Sequence, residues 1–289
     1  MITNTVCCCY CYCCSVHDQI LFGAGNPFYC VLLGLASYLE YALGEGWDKF
    51  SDYLFSYNGL QDPATIKNRA SDMMCRVLGD PSFKEVMSAE MNACDDKKLG
   101  THSMRKFAAT HARMCGCSKD EVDYRFRWKC GRMQDRYVEG NIAYPDAKVA
   151  AALCKGEAIM YQVKMESNVT ESWILAHVVP NIAKKYSRAM VLVLGNALLW
   201  RIMDPIQSAV LPKTMVSRVQ RLYYSVSCNE LTPEENPVCR IPLSIHGVDG
   251  TLVVTPLLEE EDIDDVNPDG TELTPEQHLQ RRKRRYVYL

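Results

Sequence analysis

The chain has 289 residues, 48% of them apolar and 23% charged, with a formal net charge of −3. That balance excludes a wholly disordered polymer and lets the chain bury a core, as one large domain or two small ones. The small net charge hides a strong segregation. Residues 97–137 hold eleven Lys and Arg against four Asp and Glu, six of the seven residues 259–265 are acidic, and residues 281–285 read RRKRR. The basic middle segment suits a polyanion such as nucleic acid, and its bland reading is a solvated helical face.

In chain order, the first feature is CCCYCYCC at residues 7–14, six of the fifteen cysteines. Adjacent cysteines do not build a regular disulfide framework, so a reducing compartment is expected. They also converge poorly on one tetrahedral ion, so no metal is assigned to them. Residues 1–19 read as a disordered tail, a lipidated tail or a mis-assigned first exon, the last being favoured. No basic leader followed by an apolar stretch opens the chain, so no secretory signal is expected. The most apolar runs, 28–39 and 189–200, are too short to span a bilayer, and no membrane partner is expected.

Pro27 is placed to start a helix whose residues Leu32, Leu35, Ala36, Leu39 and Leu43 form one stripe at helical spacing. Gly23 and Gly25 make only a GxG, which does not amount to a dinucleotide loop. Further helices are expected over 62–78 and 82–93, divided by Gly79-Asp80-Pro81. Next, Thr101 or Ser103 can cap a helix running to Gly116, Ser118 and Glu121 form a capping box for a shorter helix ending before Trp128, and a third helix carries 133–138. After these come a helix beginning near Pro145, two apolar helices around Pro180 within 173–200, and one over 213–227. The alternation of RIPLSIHGVDGTLVVT around Asp249-Gly250 predicts a β-hairpin near 240–255. The expected fold is mainly α. The charged tail 258–289 is expected to be disordered, and its RRKRR to be a nuclear-import signal or a non-specific DNA contact, which makes the nucleus the expected location.

The residues that carry chemistry lie in the basic segment. His102 and Arg105 are three apart, so on a helix they share a face and can donate to one anion. Trp128 follows Arg105 by twenty-three residues and Tyr137 follows Trp128 by nine. Lys106, Arg113, Arg125, Arg127, Lys129, Arg132 and Arg136 are the candidate phosphate contacts. The bland readings are a capped core histidine, a surface arginine and a core tryptophan. His111, Cys115, Cys117 and Cys130 could be read as a zinc set, but small buried residues at a helix end account for them better.

The order histidine, two residues, arginine, then tryptophan, then tyrosine resembles the second half of the tyrosine recombinase, or phage-integrase-like, signature. The phrases GTHSMRKFAATHA, RFRWK and YVEGNIAYPDAKVAAALCKG are similar to recombinases of Crypton-type mobile elements. The resemblance is clear over about residues 99–160 and weaker over 26–54. It implies a partial catalytic domain over 20–160, the carboxy-terminal part of the DNA breaking-and-rejoining core. A helical accessory region with the hairpin would follow over 161–257. It also implies that Tyr137 attacks a DNA phosphodiester to form a 3′-phosphotyrosyl link while Arg105, His102 and the Trp128 indole stabilise the transition state, with no cofactor or metal. DNA is the implied partner, with assembly of several copies on it.

The family pattern also has an arginine about a hundred residues before the histidine and a lysine on an intervening hairpin. Arg69 and Arg76 lie too close to His102, and Lys49 and Lys67 fall on no hairpin pattern. The chain is therefore expected to be a truncated or decayed copy with impaired recombination. A catalytically inactive DNA-binding remnant is the alternative, and a helical partner-binding protein is a third class.

Overall fold

The structure, a computed structural model, describes residues 2–5, 18–46, 62–79, 101–126, 128, 143–155, 157–165, 167–226, 236–248 and 251–257. The chain divides into two units, Met1–Pro256 and Leu257–Leu289, and all the described strands and helices lie in the first.

The fold is mainly helical with a small antiparallel sheet. Strand β1 (Ile2–Thr5) pairs antiparallel with β2 (Asp18–Leu21), Ile2 opposite Leu21 and Thr5 opposite Asp18. The expected amino-terminal tail therefore has strand pairing at both of its ends, and Cys7–Cys14 lie outside the described residues. The short strand β3 (Gly23–Ala24) follows, and a 3₁₀ turn at Pro27–Tyr29 leads into helix α1 (Val31–Gly44). Pro27 opens that 3₁₀ turn rather than the α-helix, because Asn26 caps the Phe28 amide and Cys30 is extended.

The other described elements include helix α2 (Pro63–Gly79), α3 (Thr101–Met114), α4 (Lys119–Phe126) and α5 (Ala143–Leu153), followed by strand β4 (Ala158–Val163). Glu171–Trp173 then begins a helical segment, α6, that continues in π geometry over Ile174–Val178. Helices α7 (Arg188–Met203) and α8 (Lys213–Val226) precede strands β5 (Val238–Val248) and β6 (Thr251–Pro256). The helices expected at 82–93 and 133–138 lie outside the described residues. The hairpin is where the alternation places it, with Val248 opposite Thr251.

One sheet has the order β3-β4-β5-β6. Strand β5 pairs with β4 through Val238–Pro242 and with β6 through Leu243–Val248. The switch falls at Pro242, whose nitrogen has no hydrogen to give a ladder. A boundary between residues 160 and 161 would run through β4, which joins β3 from the start of the chain to β5 from its end. Residues 161–257 are thus sheet neighbours of 20–160, because strand pairing ignores distance along the chain.

The main core lies between this sheet, α1, α6 and α7. Helix α7 is buried almost all round, through Val191, Leu194, Leu198, Leu199, Trp200 and Ile202, as expected of a helix without a polar face. A Cβ on Gly195 would come within 2.5 Å of Ile174 Cγ2 and 3.0 Å of Val179 Cγ2, so glycine lets α6 approach α7 closely. On α1 the expected Leu32, Leu35, Ala36 and Leu39 are buried and Leu43 is half-buried, and Leu33 and Ala42 join the buried set. That set also includes Glu40, which accepts from the Asn181 backbone amide and side-chain amide and from the Ile182 amide at 3.1 Å. Burial pushes the Glu40 carboxyl up, against the pull of those donors. Burial likewise pushes the Cys154 thiol up to about 12.

Candidate nucleic-acid interface

A second, smaller core joins α3, α4 and α5 through Ala109, Ala112, Cys117, Val122 and Val149, with Phe126 and Leu153 packed against it. Local sequence builds the corner between α3 and α4. Gly116 takes φ +85°, the Cys117 amide donates to Ala112 O at 3.1 Å, and the Gly116 amide donates to Arg113 O at 3.1 Å. This is a Schellman ending. One residue later Ser118 caps α4. Its amide donates to Glu121 Oε2 at 2.6 Å, and the Glu121 amide donates to Ser118 Oγ at 3.1 Å, the reciprocal capping box. Burial acts to raise the Glu121 carboxyl, but the Ser118 amide and the Lys148 ammonium at 2.9 Å together hold it below its ordinary value.

Charge fixes this trio to the rest of the molecule. Arg125 Nη1 donates to Asp146 Oδ2 at 2.6 Å and to Ile20 O at 2.9 Å, while the Ile20 amide donates to the same carboxylate oxygen. The side chains are only 10% and 3% exposed. This corrects the expectation that Arg125 contacts phosphate: its guanidinium ties α4 to α5 and β2 and faces inward.

The other described candidates do converge. Arg105, Lys106 and Arg113 lie on one face of α3 at helical spacing, all three exposed. With Val122, Asp123 and Trp128 they line a cleft of about 480 Å³ between α3 and the end of α4. Trp128 is 41% exposed, its ring rests on Phe126 at 5.3 Å between centroids and 26° between planes, and its amide donates to Asp123 O at 2.9 Å. Arg105 Nη2 donates to Phe126 O at 3.4 Å, so the arginine and the tryptophan meet the same chain end. Arg113 Nη1 donates to Cys117 O at 2.9 Å and so also closes the helix corner. Lys119 and Asp123 pair across the cleft wall.

His102 lies within the first turn of α3, one turn before Arg105, and its side chain is outside the described residues. Tyr137, Arg127, Lys129, Arg132 and Arg136 are outside them as well. The cleft members that the spacing did not single out are Ala109, Thr110, Lys119, Val122 and Asp123. Position 109, four after Arg105, and position 113 continue the same helical stripe, so the floor could have been read from that period.

His111 and Cys115 do share a face, with Nε2 and Sγ 3.5 Å apart, while Cys117 is buried in the small core. Among the described residues no group of three or more His, Cys, Asp or Glu is arranged to hold a metal ion, and no helix is long and apolar enough to cross a membrane.

Chemically, the cleft offers cationic donors around an apolar and aromatic floor, a setting for a phosphorylated ligand with a ring. Compared with family models, with curated proteins and with solved structures, the chain matches none of them.

Proposed function

We propose that this chain is a DNA-binding protein of the tyrosine recombinase type that engages the DNA backbone through the α3–α4 cleft. The observation that carries this reading is that Arg105 of the His-x-x-Arg pair and Trp128, twenty-three residues later, line one basic cleft. In the reaction implied, Tyr137 Oη attacks phosphorus, the P–O5′ bond breaks, and the departing 5′ oxygen takes up a proton. The freed 5′-hydroxyl of another strand later reverses the step and regenerates the tyrosine, so bond energy is conserved. Arg105 and the indole N–H of Trp128 act as donors to the charge that builds on the phosphoryl oxygens.

Among the residues before His102 no arginine lies at the family's distance and no lysine falls on a hairpin pattern, so these residues do not supply two charged contributors to that step. Each such donor is commonly worth roughly 10²–10³ in rate, and strand cleavage by this chain alone is accordingly weak. The same absence favours the second reading, a DNA-binding protein in which no cleavage remains.

The test is incubation of the 289-residue chain with nicked duplex DNA, followed by denaturing electrophoresis and by binding titrations over a range of salt. We expect affinity that falls steeply with salt and weakens in Arg105→Ala, with at most a trace of covalent adduct that disappears in Tyr137→Phe. Affinity that ignores both salt and Arg105 overturns the DNA-binding reading. Abundant adduct lost in Tyr137→Phe overturns the impairment, and binding with no adduct whatever selects the second reading.

A further inference from the structure

We infer that the α3–α4 cleft accepts an unpaired nucleobase, so that the chain binds DNA best where one nucleotide stands out of the duplex; the inference rests on the DNA-binding reading above and adds to it the form of the substrate.

The cleft is built unlike a site for phosphate alone. Its rim carries Arg105, Lys106, Arg113 and Lys119, with Asp123 paired to the last. Its floor is Ala109, Val122 and the indole of Trp128. A bare phosphate would satisfy the rim and leave the floor facing water. An apolar side chain of a partner protein would cover the floor and bring no negative charge to the rim. A nucleotide does both, since the flat face of its base stacks on aromatic and apolar groups and its phosphates flank that base.

The ring that would receive the base is already oriented. Trp128 stacks on Phe126 with 26° between the ring planes, and its backbone amide is anchored on Asp123 O at 2.9 Å. It remains 41% exposed. One face of the indole rests on Phe126, and the exposed part of the ring offers a surface for stacking. A base within a duplex is stacked on its neighbours and cannot reach such a floor, whereas a bulged or single-stranded one can.

The experiment compares the full chain on two duplexes of the same sequence, one fully paired and one with a single bulged nucleotide, at one fixed salt concentration. Placing 2-aminopurine at the bulge reports stacking through quenching of its fluorescence. The bulged duplex should bind tighter by about 5- to 150-fold, the range of a single base–aromatic stack, with the probe quenched. In Trp128→Ala the ratio of the two affinities should fall to near one, and in Trp128→Phe most of it should survive. Circular dichroism of each variant separates a lost stack from a lost fold, and the conservative variant carries the comparison if the alanine variant unfolds. Equal affinity for the two duplexes, or a preference untouched by Trp128→Ala in a folded protein, overturns the inference and leaves DNA binding intact. If neither duplex binds, the DNA-binding reading fails first.

Discussion

The two packed regions of this molecule are held together by different means. Around α7 the core is broad and nearly all hydrocarbon, with Leu194, Leu198, Leu199 and Ile202 fully buried against α1, α6 and the sheet. The α3–α4–α5 trio has a core of only a few small residues, Ala109, Ala112, Cys117, Val122 and Val149. It compensates with a capping box, a Schellman ending and the ion pairs Arg125–Asp146 and Lys148–Glu121. The first region draws its stability from shape and area, which tolerate salt and acid. The second draws more of it from charge and directed hydrogen bonds, of which the partly exposed Lys148–Glu121 pair is weakened by salt and acid. The candidate cleft lies on the second, where the outward face of α3 carries the exposed cations Arg105, Lys106 and Arg113.

Substitutions can break that contrast, and the largest effect is expected at the buried ion pair. Arg125→Met should destabilise by about 3–5 kcal/mol, because it leaves the Asp146 carboxylate, 3% exposed, without its counter-charge. Replacing both partners by apolar residues of similar volume should cost much less. Urea denaturation of the single and double variants gives the comparison, and a single variant as stable as the parent would show that the pair does not hold the trio. Leu198→Ala in the main core should cost about 2–5 kcal/mol through lost burial and the cavity left behind. Its loss should be the same at low and high salt, measured by the same denaturation series.

The smallest effect sharpens the contrast by pH. The Glu121 carboxyl is held below its ordinary value, so its contribution is present in full above the unfolded value of about 4.5 and is lost as pH falls through the folded value. Glu121→Gln should remove about 1 kcal/mol at pH 7, since the group is partly exposed and its pair with Lys148 is screened. Variant and parent should converge in acid. Hydrogen exchange of the α4 amides would follow this, and a stability difference that persists unchanged at low pH would exclude the carboxylate as its source.

Part of this molecule is legible in its residues. The corner between α3 and α4 is written locally: Gly116 needs the left-handed conformation, and Ser118 with Glu121 spells its cap, so neighbouring residues alone announce both. The pairing of β5 with β6 is legible for the same reason, as is the helical stripe that puts Arg105, Lys106 and Arg113 on one face. Glu40 is not, because a charged residue inside a helix reads as solvent-facing, and only its amide donors from Asn181 and Ile182, some 140 positions away, explain its burial. Arg125 misleads similarly: within a basic run it reads as a phosphate contact, and its true partner is Asp146.

By itself, then, the sequence determined a mainly helical chain, the corner between α3 and α4, one hairpin and a basic segment, all features set by interactions within a few residues. Tertiary structure decided which cations face outward, that Trp128 rests on Phe126 beside Arg105, and that β4 joins the beginning of the chain to its end. Those outcomes depend on burial and on pairing between segments distant in the chain, and no local pattern of residues encodes them.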